Sequence, residues 1–154
     1  TMTSWGRDRE AEAYANMLDA FDGEGRLVAV VSDSYDLDAA LTGIWGGVLR
    51  DKVLSREGTL VVRPDSGDPV ETPLRAVKVL WEAFGGAVNA KGFRVLDPHV
   101  RVIQGDGMTP ATIARLVERM IAEGFAIDNI AFGMGGGLLQ QVNRDTLRFA
   151  MKAN

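Results

Sequence analysis

Four short apolar segments recur along the chain at intervals of roughly 30 to 40 residues, and each ends in a polar or glycine-rich turn. They are rich in β-branched residues, which is typical of strands buried on both faces, and they cover residues 27–31, 59–62, 100–103 and 130–132. Stretches with helical apolar spacing separate them. The alternation predicts parallel strands joined by right-handed helical crossovers.

Helices are predicted from apolar periodicity and from their end signals at residues 8–21, 37–45, 72–84 and 109–123. The last of these begins with Thr109 as N-cap and Pro110 in the first turn, and Gly124 closes it. Residues 85–98 are less regular, with a predicted hairpin tip at 89–92. Further along the chain, a short helix at 138–142 and a fifth strand at 147–151 are predicted.

The fold class is therefore α/β, and the strand ends share one rim more naturally in a TIM-like barrel than in a single βα unit. A complete eight-fold barrel needs about 250 residues, so the chain would form roughly half to two-thirds of one. An open doubly wound parallel sheet is the alternative. The first and last residues do not look like natural ends, so we expect the chain to be cut from something longer.

Composition excludes several classes of protein. The chain has a net charge of −4, with 46% hydrophobic and 25% charged residues, so we expect neither disorder nor binding to nucleic acid. No apolar run is long enough for a membrane span, so no membrane partner is expected. Cysteine is absent, which excludes a disulfide framework and a thiolate metal site, and suits the cytoplasm.

Charged side chains follow the predicted strands at the edge where those strands end, which we call the carboxyl rim. Asp33, Asp65 and Asp106 each follow a strand within a few residues, and Arg63 precedes Asp65. Carboxylates there suit sugar hydroxyls, a divalent cation or developing positive charge. The glycine run at 133–137, which includes Gly135 and Gly136, offers bare backbone amides to a phosphate, and Arg144 follows it. The pattern predicts a sugar-phosphate site.

Structural interpretations compete with each of these assignments. The aspartates are also typical helix caps or turn formers, and the glycine run fits neither the dinucleotide fingerprint nor the P-loop. Arg144 would form a surface ion pair with Asp145, worth little. The chain's one histidine, His99, precedes a strand, at the end opposite the rim, and is interpreted as a loop residue. No metal-binding histidine or cysteine cluster is present.

Four strings in order resemble the nicotinamide phosphoribosyltransferase family, which is of the type II phosphoribosyltransferase class. They are residues 30–36 (Val-Val-Ser-Asp-Ser-Tyr-Asp), 63–67 (Arg-Pro-Asp-Ser-Gly), 103–107 (Ile-Gln-Gly-Asp-Gly) and 129–140 (Asn-Ile-Ala-Phe-Gly-Met-Gly-Gly-Gly-Leu-Leu-Gln). The resemblance runs from about residue 5 to residue 145. It implies that residues 1–154 are a single segment of an irregular α/β barrel domain, truncated at both ends.

The resemblance also implies an activity for the full-length protein. A glycosyltransferase of this family, working as a cytoplasmic head-to-tail homodimer, would join nicotinamide to phosphoribosyl pyrophosphate. The products would be nicotinamide mononucleotide and pyrophosphate, a step of NAD salvage. Mg²⁺ would accompany phosphoribosyl pyrophosphate, and ATP would act as an activator. Nicotinate phosphoribosyltransferase is the neighbouring alternative, and a non-catalytic sugar-phosphate-binding fragment is the alternative for the 154-residue chain, which we expect to be inactive by itself.

Residue roles follow from the same resemblance. Asp65 and Asp106 would be the catalytic carboxylates that hold the ribose, and Arg63 would lie against the pyridine ring or a nearby phosphate. The other substrate-binding residues would be Asp33, Gly105, Gly135, Gly136 and Arg144. The family's phosphorylatable histidine, its amide-reading aspartate, its ring-stacking aromatic residue and the serine and lysines of its pyrophosphate site have no match here.

Overall fold

The structure is a computed structural model that describes residues 2–135. The strands are β1 (Leu27–Val31), β2 (Thr59–Arg63), β3 (Gly86–Val88), β4 (Arg94–Leu96), β5 (Val100–Gln104) and β6 (Ile130–Phe132). The α-helices are α1 (Glu10–Ala20), α2 (Leu37–Ala39), α3 (Arg50–Leu54), α4 (Glu71–Phe84) and α5 (Pro110–Ala122). A π-helix (Ala40–Val48) continues α2, and 3-10 turns occur at Met2–Trp5, Arg7–Arg9 and Ile127–Asn129.

The main sheet has four parallel strands in the order β1-β2-β5-β6, so each strand lies beside the next main-sheet strand along the chain. This order confirms the predicted βα repetition. A doubly wound sheet reverses its strand order at a switch point, and the described strands contain no such reversal. Sequential order is the arrangement of an α/β barrel, and the sheet is consistent with part of one.

The helices cover one face of this sheet. Alternate strand residues on that face are buried in the same core as apolar residues of α1, the π-helix, α4 and α5. These strand residues are Val28, Val30, Leu60, Val62, Val100, Val102 and Ile130. The intervening residues of the outer strands are more open, and Leu27 is 70% exposed. A single helical layer again favours the barrel over a sheet covered on both faces.

Local signals explain most element boundaries. Thr109 forms a capping box with Thr112 at the start of α5, and Gly124, which follows the helix, has a φ of +75°. The predicted hairpin is confirmed, because β3 and β4 are antiparallel and the Asn89 side chain accepts the backbone N–H groups of Lys91 and Phe93. Helix α1 begins two residues later than predicted, after a 3-10 turn.

The predicted helix at 37–45 extends beyond its expected end. It widens into the π-helix and kinks at Gly47, whose φ and ψ are −111° and −106°. Gly46 is needed for close packing, because a Cβ there would lie 2.7 Å from the Cβ of Ala83 in α4. The predicted helix at 138–142 and strand at 147–151 lie outside the described residues. Within residues 2–135, no helix has the length and apolar character needed to span a membrane.

Candidate active site

The carboxyl rim brings the ends of β1 and β2 together through Asp33. Because Val31 pairs in register with Arg63, the turns after the two strands are neighbours. Asp33 Oδ2 accepts the backbone N–H of Asp65 at 2.8 Å and the Ser66 hydroxyl at 2.5 Å. One carboxylate oxygen therefore holds the start of the loop at 63–67.

Arg63 and Asp65 form an ion pair on this loop. Both Nη2 and Nε of Arg63 donate to Asp65 Oδ1, at 2.6 and 3.2 Å. The two side chains are 41% and 36% exposed, so the pair adds little to folding stability. Its effect is to orient a cation and an anion side by side at the rim.

Two glycines bring the remaining strand ends close to this pair. A Cβ on Gly105 would lie 3.9 Å from Arg63 Nη2, and one on Gly133 would lie 3.3 Å from the Gly105 Cα. The turns after β2, β5 and β6 thus meet at Gly105 and Gly133, where no side chain keeps the backbone segments apart. Asp106 and Gly135 are exposed at the same rim. Gly136 and Arg144 lie outside the described residues, so their predicted roles stay predictions.

A buried network that was not predicted begins at Ser32, the residue before Asp33. Ser32, fully buried, donates its hydroxyl to the Val30 carbonyl and accepts the Trp45 Nε1–H at 3.0 Å. Trp45 stacks on Tyr14 with ring centroids 4.4 Å apart, and the Tyr14 hydroxyl donates to Glu10 at 2.8 Å. The sequence offered one signal for this network, namely that Ser32 is a polar residue at the end of an apolar strand.

Two other aspartates near the rim, Asp36 and Asp68, cap helices. Asp36 accepts the backbone N–H of Ala39. Asp68 accepts the N–H groups of Glu71 and Val70, and these hydrogen bonds lower the pKa of its carboxyl below the usual range. In the part of the chain that the structure describes, neither has a hydrogen bond that links it to Arg63 or Asp65.

His99 lies at the opposite end of the sheet, before β5, as predicted. Its Nδ1 is 2.7 Å from Asp97 Oδ1 in the same turn. A cleft of about 410 Å³ also lies away from the rim and contains none of the predicted site residues. It is lined by residues of the hairpin tip and of the end of α5, namely Asn89, Ala90, Lys91, Phe93, Ile121, Phe125, Ala126, Ile127 and Asp128.

The described residues do not form a metal-binding cage. Within residues 2–135, no group of three or more histidine, cysteine, aspartate or glutamate side chains is arranged to hold a metal ion. Mg²⁺ commonly uses only one or two carboxylates and completes its shell with substrate phosphates and water.

Comparison with known proteins identifies the family. Residues 1–154, the whole chain, match the model of the nicotinate phosphoribosyltransferase (NAPRTase) family. The chain belongs to this family. The family resemblance drawn from the four strings is thereby confirmed.

Individual relatives agree with this assignment. The chain is 54% identical over 154 residues to a protein of Xanthomonas campestris pv. campestris (strain 8004) named nicotinamide phosphoribosyltransferase, matching 100% of this chain and 33% of that protein. Proteins with the same name from Acinetobacter baylyi and Mycoplasma pneumoniae are each 33% identical, over 95% and 98% of this chain and 32% and 36% of their own lengths. The chain spans about a third of the length of these curated relatives.

Proposed function

We propose that the whole protein containing this chain transfers the phosphoribosyl group of phosphoribosyl pyrophosphate to nicotinamide, forming nicotinamide mononucleotide and pyrophosphate. The observation that carries the proposal is the convergence of Arg63, Asp65 and the turns at Gly105 and Gly133 at one rim. It occurs in a chain that is 54% identical to a protein named for this activity.

The chemistry requires a site that tolerates positive charge on a sugar. The pyridine nitrogen of nicotinamide donates its electron pair to the anomeric carbon while the bond from that carbon to the pyrophosphate oxygen breaks, and pyrophosphate departs with that electron pair. Positive charge develops on the ribose in the transition state. Carboxylates fixed beside the ring stabilise this charge because they are oriented before the reaction begins.

The rim residues divide this work in the proposal. Asp65 and Asp106 hold the ribose hydroxyls and face the developing charge, and Arg63 lies against the pyridine ring or a phosphate. The Arg63–Asp65 pair supports this division, since it holds both groups in one orientation. Asp33 acts by supporting the loop with Oδ2, which leaves its other oxygen for the ligand.

In the proposal, the phosphate groups of the substrate are bound by the glycine-rich turns of the rim and by Arg144. The backbone amides of Gly135 and Gly136 would bind the 5′-phosphate, and the absence of side chains there lets the phosphate approach. Gly105 allows the same close approach beside Arg63, and Arg144 would face the pyrophosphate. Neutralising the departing pyrophosphate is where cations contribute most to such a reaction.

Mg²⁺ belongs to the substrate in this proposal. It would enter on the pyrophosphate oxygens of phosphoribosyl pyrophosphate and neutralise charge on the leaving group. ATP is proposed as an activator of the whole protein. His99, the chain's one histidine, is bound to Asp97 at the far end of the sheet, so an ATP-dependent histidine would have to come from outside this chain.

Assembly and location complete the proposal. A head-to-tail homodimer would bring residues of a second subunit to the site, in keeping with the small part of a complete pocket that residues 2–135 supply. The absence of cysteine favours a cytoplasmic location.

Nicotinate is the second candidate base, and the observation that favours it is the name of the matching family. Nicotinamide carries an amide group on its pyridine ring, whereas nicotinate carries a carboxylate. Arg63 would attract a carboxylate as well as a ring, so the described rim residues are compatible with both.

Asp65→Ala in the whole protein tests the proposed role of the rim. The Asp65 carboxylate is proposed to stabilise positive charge in the transition state. Its loss should therefore lower kcat for nicotinamide mononucleotide formation by about 100-fold or more. Asp51→Ala is the matched control, because the Asp51 side chain is fully exposed on α3, away from the rim. Equal activity of the two variants would show that Asp65 takes no part in the reaction.

A further inference from the structure

Gln104 occupies a position where the strand pattern calls for an apolar residue. In β5, Val100, Val102 and Gln104 alternate on the face that packs against the helices, and all three are fully buried. The two valines belong to the apolar core. A polar side chain at the third position costs free energy unless its hydrogen bonds compensate.

The contacts of Gln104 join two turns of the rim. Its side-chain Nε2 donates to the backbone carbonyl of Asp106 at 2.8 Å. Its own backbone carbonyl accepts the N–H of Gly133 at 2.8 Å. One buried residue therefore fixes the turn that carries Asp106 and the start of the glycine run.

The side-chain oxygen of Gln104 does not contribute to the stability of the described fold. Within residues 2–135, its Oε1 is buried without a hydrogen-bond partner. A methionine of similar length would fill the same space without leaving an acceptor unpaired. The amide is therefore explained by what its N–H group holds, and not by packing.

We propose that Gln104 is a positioning residue that sets the orientation of Asp106 toward the ribose, an inference that rests on the proposed function. Asp106 itself is exposed, and within the described chain no side chain other than Gln104 holds its backbone carbonyl. Gln104 touches no substrate in this scheme. It acts by fixing the peptide group from which the Asp106 side chain extends.

Gln104→Met in the whole protein is the direct test. It should lower kcat/KM for phosphoribosyl pyrophosphate about tenfold, the expected cost of one buried hydrogen bond that orients a charged group. The change should appear as a raised KM, with the KM for nicotinamide altered by less than about twofold. In an Asp106→Ala background the same substitution should have almost no further effect, because the residue it positions is absent.

Asn129→Leu is the matched control. Asn129 is an equally buried amide, but it joins β4 to the start of β6 at the other end of the sheet, through hydrogen bonds to Leu96 and Arg94. Its replacement should lower Tm and leave KM for phosphoribosyl pyrophosphate unchanged. Gln104→Leu, which removes the donor without placing a charge in the buried position, should reproduce the kinetic loss if Gln104→Met folds poorly.

The outcomes separate this inference from the proposed function. If the unmodified protein forms no mononucleotide with either base, the proposed function is wrong and this inference with it. If it is active, the inference is wrong when Gln104→Met leaves KM unchanged, or when its effect adds fully to that of Asp106→Ala. It is also wrong if both Gln104 variants fail to fold, because the role is then structural.

Discussion

The carboxylate of Asp33 accepts the backbone N–H of Asp65 at 2.8 Å, although the two residues are 32 positions apart in the chain. The bond connects the turns after two neighbouring parallel strands. It places Asp33 beneath the Arg63–Asp65 pair and shows how a loop rich in turn-forming residues is held in one shape. The geometry of the pair thus depends on a residue of the preceding βα unit.

Asp33→Ala should affect both the stability of the whole protein and its KM for phosphoribosyl pyrophosphate. Removing two hydrogen bonds from a half-buried carboxylate should lower the free energy of unfolding by roughly 1–3 kcal/mol, and the loosened loop should raise KM for phosphoribosyl pyrophosphate. Asp36→Ala is the control, since it loses only a helix N-cap worth about 1 kcal/mol. Thermal unfolding and initial rates measure both effects. Equal KM values for the two variants would argue against this role of Asp33.

Arg63→Lys should affect activity far more than stability. A lysine keeps the charge but cannot donate from two nitrogens to Asp65 or lie flat against a ring. We expect kcat/KM to fall by about tenfold or more, while the free energy of unfolding changes by less than about 1 kcal/mol because the pair is exposed. A variant with full activity, measured by mononucleotide formation, would show that the planar group is not required.

Tyr14 should make the protein sensitive to alkaline pH. Burial, and then the hydrogen bond to Glu10, raise the pKa of Tyr14 well above its ordinary value near 10. A folded-state pKa above the unfolded value means that the native state keeps its proton longer. This contribution to stability is complete below about pH 10 and is lost as the pH rises further.

Tyr14→Phe should therefore reduce the fall in stability above about pH 10. At neutral pH the same variant should be less stable by roughly 1–3 kcal/mol, because the buried Glu10 carboxylate loses its donor. Tyr35→Phe, which removes the hydroxyl of the chain's other tyrosine, serves as the control. Urea unfolding between pH 7 and 11 measures both effects, and identical pH profiles for Tyr14→Phe and the unmodified protein would contradict the assignment.

Strands and capped helices could be predicted because their causes are local. The β-branched runs that became β1 and β2 and the Thr109 cap of α5 each depend on residues within a few positions. The rim followed from topology, since parallel strands end at one edge. The family resemblance then supplied the proposed ligand, which the spacing of the residues alone could not specify.

The supports of the site could not be predicted, because they depend on contacts distant in sequence. Ser32 meets Trp45 across 13 positions, and Asp33 meets Asp65 across 32. Nothing in the sequence pattern singles out Arg94, whose guanidinium packs 3.8 Å from the ring centre of Phe125. The π-helix that continues α2 likewise makes a distant contact, since it packs closely against Ala83 of α4 at Gly46.

The 154-residue chain by itself should form no mononucleotide and should associate. One sheet face carries exposed apolar residues, including Leu27, and edge strands β1 and β6 of the described sheet leave backbone groups open to pairing. Light scattering after gel filtration measures the association, and Leu27→Lys should reduce it. A monomeric chain with turnover like that of the whole protein would contradict this prediction.

The central claim is that the whole protein joins a phosphoribosyl group to nicotinamide. The most direct measurement incubates the purified whole protein with phosphoribosyl pyrophosphate, Mg²⁺ and equal concentrations of nicotinamide and nicotinate, and quantifies both mononucleotides by mass spectrometry. We predict that nicotinamide mononucleotide accumulates in excess and that Asp65→Ala lowers its rate of formation by about 100-fold or more. Formation of nicotinate mononucleotide alone, or of neither product, would contradict the claim.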